Sequence, residues 1–177
     1  FRNCSDFVEF VDSILLEVKL NDQAATCGQE KIQKVSPLKA SVSHSTSAVS
    51  AVNGNGAMLQ GGRWEKVSLP VDLTGSDPIV FRPLNSQGLV AIASMSLVNK
   101  ATGDKVWELK KYGFDRLKMK GTAVKLPDEH NLTLLVTGNS PQIVLPTIED
   151  RPDCPLDLVV WLRASTDLNA LNTFFQN

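Results

Sequence analysis

From Gly61 onward, apolar and polar residues alternate in short runs that glycine and proline interrupt at close intervals. Alternation with a period of two is typical of β-strands that bury one face, and glycine and proline mark the turns between them. The segments with this pattern are Arg63–Val71, Ile79–Arg82, Leu89–Val98, Lys105–Leu109, Arg116–Met119, Thr122–Leu126, Asn131–Thr137, Gln142–Leu145 and Leu156–Arg163. Eight or nine short strands at this spacing predict a mainly β chain that forms an antiparallel β-sandwich of jelly-roll type.

The connections between these segments argue against a doubly wound α/β fold. Parallel strands require crossover connections, usually helices, and no helical periodicity separates the segments. One connection is a tight turn, Ala101-Thr102-Gly103-Asp104, between two apolar runs. We therefore expect Leu89–Val98 and Lys105–Leu109 to pair as a β-hairpin.

Two segments outside the strand region favour helix. In residues 6–26, apolar residues recur at three- and four-residue spacing, and Asp6 with Glu9 forms a capping-box pattern. This amphipathic helix either packs on its own domain or associates with a partner in the manner of a coiled coil, and the pattern leaves both open. A short second helix is expected near the C-terminus, with Ser165 or Thr166 as its N-cap.

Residues 36–60 differ in composition from their neighbours. Serine alternates with alanine and valine, an Asn-Gly-Asn-Gly sequence follows, and the segment has no aromatic residue. Such a segment buries too little apolar surface to offset its ordering entropy, which predicts a flexible linker. The expected organisation is a helical segment at 1–35, a linker at 36–60, a β-sandwich at 61–164 and the start of a C-terminal helix at 165–177.

Residue types that commonly carry catalysis or bind metals are sparse. The three cysteines and two histidines have no CxxC or HxxxH spacing, so we expect neither a metal site nor a cofactor. No GxSxG, P-loop or GxGxxG motif occurs. Two adjacent carboxylate pairs, Asp128-Glu129 and Glu149-Asp150, remain as acid–base candidates, and a small hydrolase that uses them is one hypothesis.

The net charge is −1, with 18 lysines and arginines against 19 aspartates and glutamates. This balance argues against a nucleic-acid partner. The sequence contains no run of about 18 apolar residues, so no transmembrane helix is predicted. Because Cys4 and Cys27 flank one expected helix and are too far apart for a disulfide, a reduced compartment is expected: the cytoplasm, including the periphery of a membrane. The first residue is Phe1, which suggests a piece of a longer protein.

Charge is unevenly distributed along the strand region. Residues 100–125 hold eight basic and three acidic residues, whereas residues 128–157 hold one basic and six acidic residues. On neighbouring strands these segments would form one positive and one negative face, and the first would attract an anionic ligand or partner. A mixed, solvated surface is the alternative.

Aromatic residues supply one candidate binding site. Trp107 precedes a corner, residues 110–114, that combines lysines with aromatic rings. A sugar ring can stack its C–H face on an aromatic ring while its hydroxyl groups contact polar neighbours. The predicted carbohydrate-binding residues are Trp107, Lys110, Lys111 and Tyr112. Packing of the same rings in the core is the alternative, and Trp161, inside an apolar run, is expected in the core.

Two stretches resemble a known type of module. They are Phe81–Val90, followed by Ser94–Val98 and the Gly103 turn, and Asn139–Pro146, followed by Leu156–Leu162. Their order is similar to that of the carbohydrate-binding-like β-sandwich modules of bacterial glycosyltransferases, and sometimes methyltransferases, that synthesise cell-surface polysaccharides. The likeness covers roughly residues 62–164. It implies an accessory role in glycan assembly and carries over no catalytic residue.

Two main functional hypotheses follow. In the first, the chain is a non-catalytic, carbohydrate-binding-like accessory module of a larger glycan-synthesising enzyme, and a saccharide or an adjoining enzyme domain is its partner. The parent protein would then be a glycosyltransferase, although the sequence leaves enzymatic activity open. In the second, the chain is a structural or assembly module whose helices mediate protein–protein association without sugar binding.

Overall fold

The computed structural model describes residues 37–43, 55–71, 78–138, 140–148 and 154–167. They belong to one compact unit, Pro37–Asn177. The helix predicted at 6–26 lies outside the described residues, and so do residues 168–177 of the predicted C-terminal helix. Ser165, its expected start, is the last residue of a strand.

The described residues form eleven β-strands and one 3₁₀ helix. The strands are β1 (Lys39–Ser43), β2 (Asn55–Met58), β3 (Trp64–Val71), β4 (Val80–Arg82), β5 (Gly88–Asn99), β6 (Lys105–Lys110), β7 (Lys118–Lys120), β8 (Ala123–Leu126), β9 (Leu132–Val136), β10 (Gln142–Val144) and β11 (Leu156–Ser165). The 3₁₀ helix, Lys111–Arg116, lies between β6 and β7. Each of the predicted strand segments overlaps one of these strands.

The strands form two antiparallel sheets. The five-stranded sheet has the order β2-β1-β4-β10-β7. The six-stranded sheet has the order β3-β11-β5-β9-β8, and β6 pairs with the C-terminal half of β5. A mainly β chain with antiparallel sheets is therefore confirmed.

One hydrophobic cluster contains residues of both sheets. Phe81 and Ile143 contribute from the five-stranded sheet, and Ile92, Leu134 and Leu158 contribute from the six-stranded sheet. Within β3 the burial pattern alternates between core and solvent, as the period of two predicts. This alternation determines which side chains of each strand point away from the core.

The predicted hairpin is present. Strands β5 and β6 pair antiparallel, with Leu97 opposite Trp107. In the turn, Asn99 Oδ1 accepts hydrogen bonds from the backbone N–H groups of Ala101 and Thr102, at 2.8 and 3.3 Å. Gly103 has a φ of 79°, a left-handed conformation that glycine adopts without steric cost.

The predicted linker at 36–60 is wrong in part, because β1 and β2 both lie within it. Strand β1 pairs with β2 on one side and with β4 on the other. Its alternate residues Ala40 and Val42 are buried in the core cluster. Small side chains are sufficient here because β4, with Phe81, supplies the bulk on the same face. The sheet region therefore begins at Lys39 and not at Gly61.

In the part of the chain that the structure describes, no helix is both long enough and apolar enough to cross a bilayer.

Candidate binding face

The six-stranded sheet presents two tryptophans on the side that points away from the core. Val67 of β3 and Val160 of β11 belong to the core cluster. Because side chains alternate along a strand, Trp64 and Trp161 project from the opposite face. In the β3–β11 ladder Trp64 lies opposite Arg163, and Trp161 lies opposite Lys66. The two rings are thus diagonal neighbours on one surface.

The two rings lie parallel to each other. Their centroids are 6.5 Å apart and their planes differ by 5°. This distance lies within the range of favourable aromatic pairs. Trp161 is 42% exposed, which is unusual for so large an apolar side chain. The pair therefore forms an aromatic surface in which Trp161 is open to solvent and Trp64 is half-buried.

The prediction that Trp161 lies in the core is wrong. The run Leu158–Leu162 is apolar throughout, but only Leu158, Val160 and Leu162 point inward. Val159 and Trp161 belong to the other phase of the alternation and are only partly buried or exposed. Because every residue of the run is apolar, the sequence does not show which residues point inward. The register with β3 shows that Trp161 points outward.

Polar side chains surround the tryptophan pair. On β5, Ser94 lies opposite Trp161, and on β3, Lys66 lies opposite it from the other side. Farther along the same face, Ser68 Oγ donates a 2.8 Å hydrogen bond to Asp157 Oδ2. We define the binding face as these outward-facing residues of β3, β11, β5 and β6: Trp64, Lys66, Ser68, Ser94, Glu108, Lys110, Asp157, Trp161 and Arg163.

At the β6 edge of the binding face, one carboxylate bridges two lysines. Glu108 lies 2.5 Å from Lys105 Nζ and 3.1 Å from Lys110 Nζ. The hydrogen bonds from Lys105 and Lys110 lower the pKa of the Glu108 carboxyl below its usual value. Glu108 is therefore ionised at neutral pH, and the three groups together carry one positive charge.

The residues predicted to bind carbohydrate do not all lie on this face. Trp107 lies opposite Leu97 and packs against the hydrophobic core from the inner side of β6. Lys110 lies opposite Ser94 on the outer side. Lys111 and Tyr112 lie in the 3₁₀ helix that follows, and their side chains are outside what the structure describes. Strand alternation thus separates Trp107 from Lys110.

The basic segment 100–125 is divided between the two sheets. Strand β7, with Lys118 and Lys120, belongs to the five-stranded sheet, whereas β6 and β8 belong to the six-stranded sheet. Lys125 Nζ of β8 also pairs with the carboxylate of Asp115 at 2.5 Å. Acidic residues of the same segment thus offset part of its charge. Along the chain the segment is continuous, but in space it does not form a single basic face.

The carboxylate pair Asp128-Glu129 lies in the turn before β9, where Asp128 has a structural role. Its Oδ1 accepts hydrogen bonds from the backbone N–H groups of His130 and Asn131, at 2.8 and 3.0 Å. Its Oδ2 accepts one from Thr133 Oγ1 at 2.5 Å and one from Asn131 Nδ2 at 3.3 Å. The second pair, Glu149-Asp150, lies outside the described residues.

These hydrogen bonds outweigh the effect of burial on Asp128. Partial burial raises the pKa of its carboxyl, but the hydrogen bonds from Thr133, His130 and Asn131 bring that pKa below its usual value. A carboxylate held in this state at neutral pH is a poor proton donor, and its acceptor sites are occupied by the turn. The geometry therefore supports a role in stability.

We expect Asp128→Ala to destabilise the domain by about 1–3 kcal/mol at pH 7, since the donors of the turn, including the hydroxyl of the buried Thr133, lose their acceptor. Because the folded-state pKa is lower than the unfolded value of about 3.9, the ionised form stabilises the fold above that pH. This contribution is lost as the pH falls through the folded pKa, so the difference from wild type shrinks at pH 3. Urea unfolding at both pH values measures it.

Glu129→Ala is the matched control, because Glu129 is the exposed neighbour in the same turn. It should change the unfolding free energy by less than about 0.5 kcal/mol. Equal effects of the two variants would contradict a specific role of Asp128.

Within the described residues no group of three or more histidine, cysteine, aspartate or glutamate side chains is placed to hold a metal ion. In comparisons with known proteins, no protein family, no curated protein and no solved structure matches this chain.

Proposed function

We propose that the chain is a non-catalytic, carbohydrate-binding-like module, and that it binds saccharide through the binding face. The observation that carries this proposal is the parallel Trp64–Trp161 pair on the outer side of the six-stranded sheet, with Trp161 42% exposed. A pyranose ring presents a flat set of C–H groups that stacks on an indole. The exposed Trp161 indole offers such a surface, and Trp64 lies parallel to it.

The polar residues of the face support the same proposal. Sugar hydroxyl groups need hydrogen-bond donors and acceptors next to the stacking surface. Ser94 and Lys66 flank Trp161 in the ladder, and the Ser68–Asp157 pair lies farther along.

The proposal also covers the type of β-sandwich and the role of the module beside an enzyme. We propose a jelly-roll type of sandwich, which the alternation of β3, β4 and β5 between the sheets supports. We also propose an accessory role beside a glycan-synthesising enzyme in the cytoplasm or at the membrane periphery, on the strength of the sequence resemblance. An adjoining enzyme domain is then a second partner.

A second candidate function is an assembly module, in which the same face contacts another protein. Tryptophan and arginine are the residues most enriched at protein–protein hot spots, and Trp64 lies opposite Arg163 on this face. Binding of sugar distinguishes the two functions, because a protein contact does not require it.

Trp161→Ala is expected to weaken saccharide binding by about tenfold, or ~1.4 kcal/mol, since it removes the exposed stacking surface. The measurement is a screen of bacterial cell-surface oligosaccharides, followed by calorimetric titration of the best binder. The fold should persist, because Trp161 lies outside the core.

Met58→Ala is the control, because Met58 is a 58% exposed apolar side chain on β2 of the other sheet. It should bind saccharide as wild type does. If Trp161→Ala also binds as wild type does, the site does not lie on this face. Weaker binding by Trp107→Ala and Tyr112→Ala at retained stability would instead favour the corner predicted from the sequence.

A further inference from the structure

Positive charge is concentrated in the cross-strand row that contains the exposed tryptophan. Lys66 of β3 lies opposite Trp161, Trp161 lies opposite Ser94 of β5, and Ser94 lies opposite Lys110 of β6. These four residues share one face of the sheet. With strands about 4.8 Å apart, the backbone positions of the two lysines are about 14 Å apart, one on each side of the ring.

The charge of this row is only partly neutralised. Lys66 is exposed and forms no ion pair among the described residues. Lys110 shares the Glu108 carboxylate with Lys105, so that cluster keeps one positive charge. The other acid of the binding face, Asp157, lies four residues along β11 from Trp161, about 13 Å away. An approaching ligand therefore meets net positive charge on both sides of Trp161.

We propose that the binding face selects anionic saccharides: a sugar ring stacks on Trp161 while a carboxylate or phosphate substituent contacts Lys66. This inference rests on the proposed function and adds the class of sugar. Lysine ammonium groups bind both kinds of anion as point charges. A neutral sugar would use the ring and the serine but would leave Lys66 without an anionic partner.

A titration with matched ligands tests the inference. The probes are a tetramer of galacturonic acid and its methyl ester, which has the same sugar ring without the charge, and a phosphorylated tetrasaccharide distinguishes phosphate from carboxylate. We expect the acid or the phosphate to bind more tightly than the ester. Raised salt should weaken the charged probes only, because screening acts on exposed charges.

Lys66→Gln should weaken binding of the preferred anionic probe by about two- to fivefold and leave ester binding unchanged. Lys118→Gln is the matched control, because Lys118 is an exposed lysine on β7 of the other sheet. Equal affinity for acid, phosphate and ester, or equal effects of the two variants, would overturn the anionic preference and leave saccharide binding intact.

Two further results would contradict saccharide binding itself. If none of the three saccharides binds and the oligosaccharide screen also finds no ligand, the proposed function itself fails, and the anionic preference fails with it. If a single-stranded oligonucleotide of equal charge binds more tightly than every saccharide, the cross-strand row around Trp161 binds nucleic-acid phosphates. The saccharide inference is then overturned.

Discussion

Phe81→Ala is expected to lower the unfolding free energy by about 3–5 kcal/mol, the range measured for truncation of large core side chains. Phe81 has no solvent exposure and belongs to β4, the middle strand of the five-stranded sheet. It lies opposite Val42 on one side and Ile143 on the other. Removing the ring leaves a cavity that three strands would have to close.

Small domains are stable by only about 5–15 kcal/mol, so this variant loses a large share of the total. With a urea m-value of about 2 kcal/mol/M, the midpoint should fall by about 1.5–2.5 M. Circular dichroism and tryptophan fluorescence follow the transition. Phe81→Leu, which keeps most of the volume, should cost much less.

Val106→Ala serves as the control, because Val106 is an exposed apolar residue on β6. It should change stability by less than about 0.5 kcal/mol. A loss for Phe81→Ala that is no larger than the loss for Val106→Ala would mean that the two sheets do not share a core at this position.

The strand pattern was predictable from the sequence because it depends on local chemistry. From Lys66 onward strand β3 alternates between exposed and buried residues, and the Asn99–Asp104 turn contains the glycine that its left-handed conformation favours. The same reasoning failed for β1. Serine alternates with alanine and valine there at the period of a strand, but the lack of aromatic residues predicts a linker. Small residues support a strand where a partner such as Phe81 supplies the volume.

The candidate site was less predictable, because it depends on which strands lie side by side. Trp64 and Trp161 are about a hundred residues apart in sequence, and only the β3–β11 register makes them neighbours. Trp107 and Lys110 are close in sequence, yet alternation places them on opposite sides of β6. Residues three apart on a regular strand point to opposite faces, and this rule alone separates Trp107 from Lys110.

Gly121→Ala is expected to destabilise the domain by about 2–5 kcal/mol, from two separate effects. Gly121 has a φ of 78° in the connection between β7 and β8, and this conformation is costly for a residue with a Cβ. An added Cβ would also lie 2.0 Å from the backbone oxygen of Ser140. A carbonyl of the neighbouring loop cannot move aside as a flexible side chain can.

Gly103→Ala separates these two effects. Gly103 has nearly the same φ, 79°, but a Cβ there would have no atom within 4 Å. It should therefore show the conformational cost alone, about 1–2 kcal/mol. Urea unfolding of both variants gives the difference, which we expect to be about 1–3 kcal/mol in favour of Gly103→Ala. Equal losses of unfolding free energy would mean that the loop at Ser140 moves aside at no cost. The close contact between Gly121 and Ser140 would then not stabilise the pairing of β7 with β10.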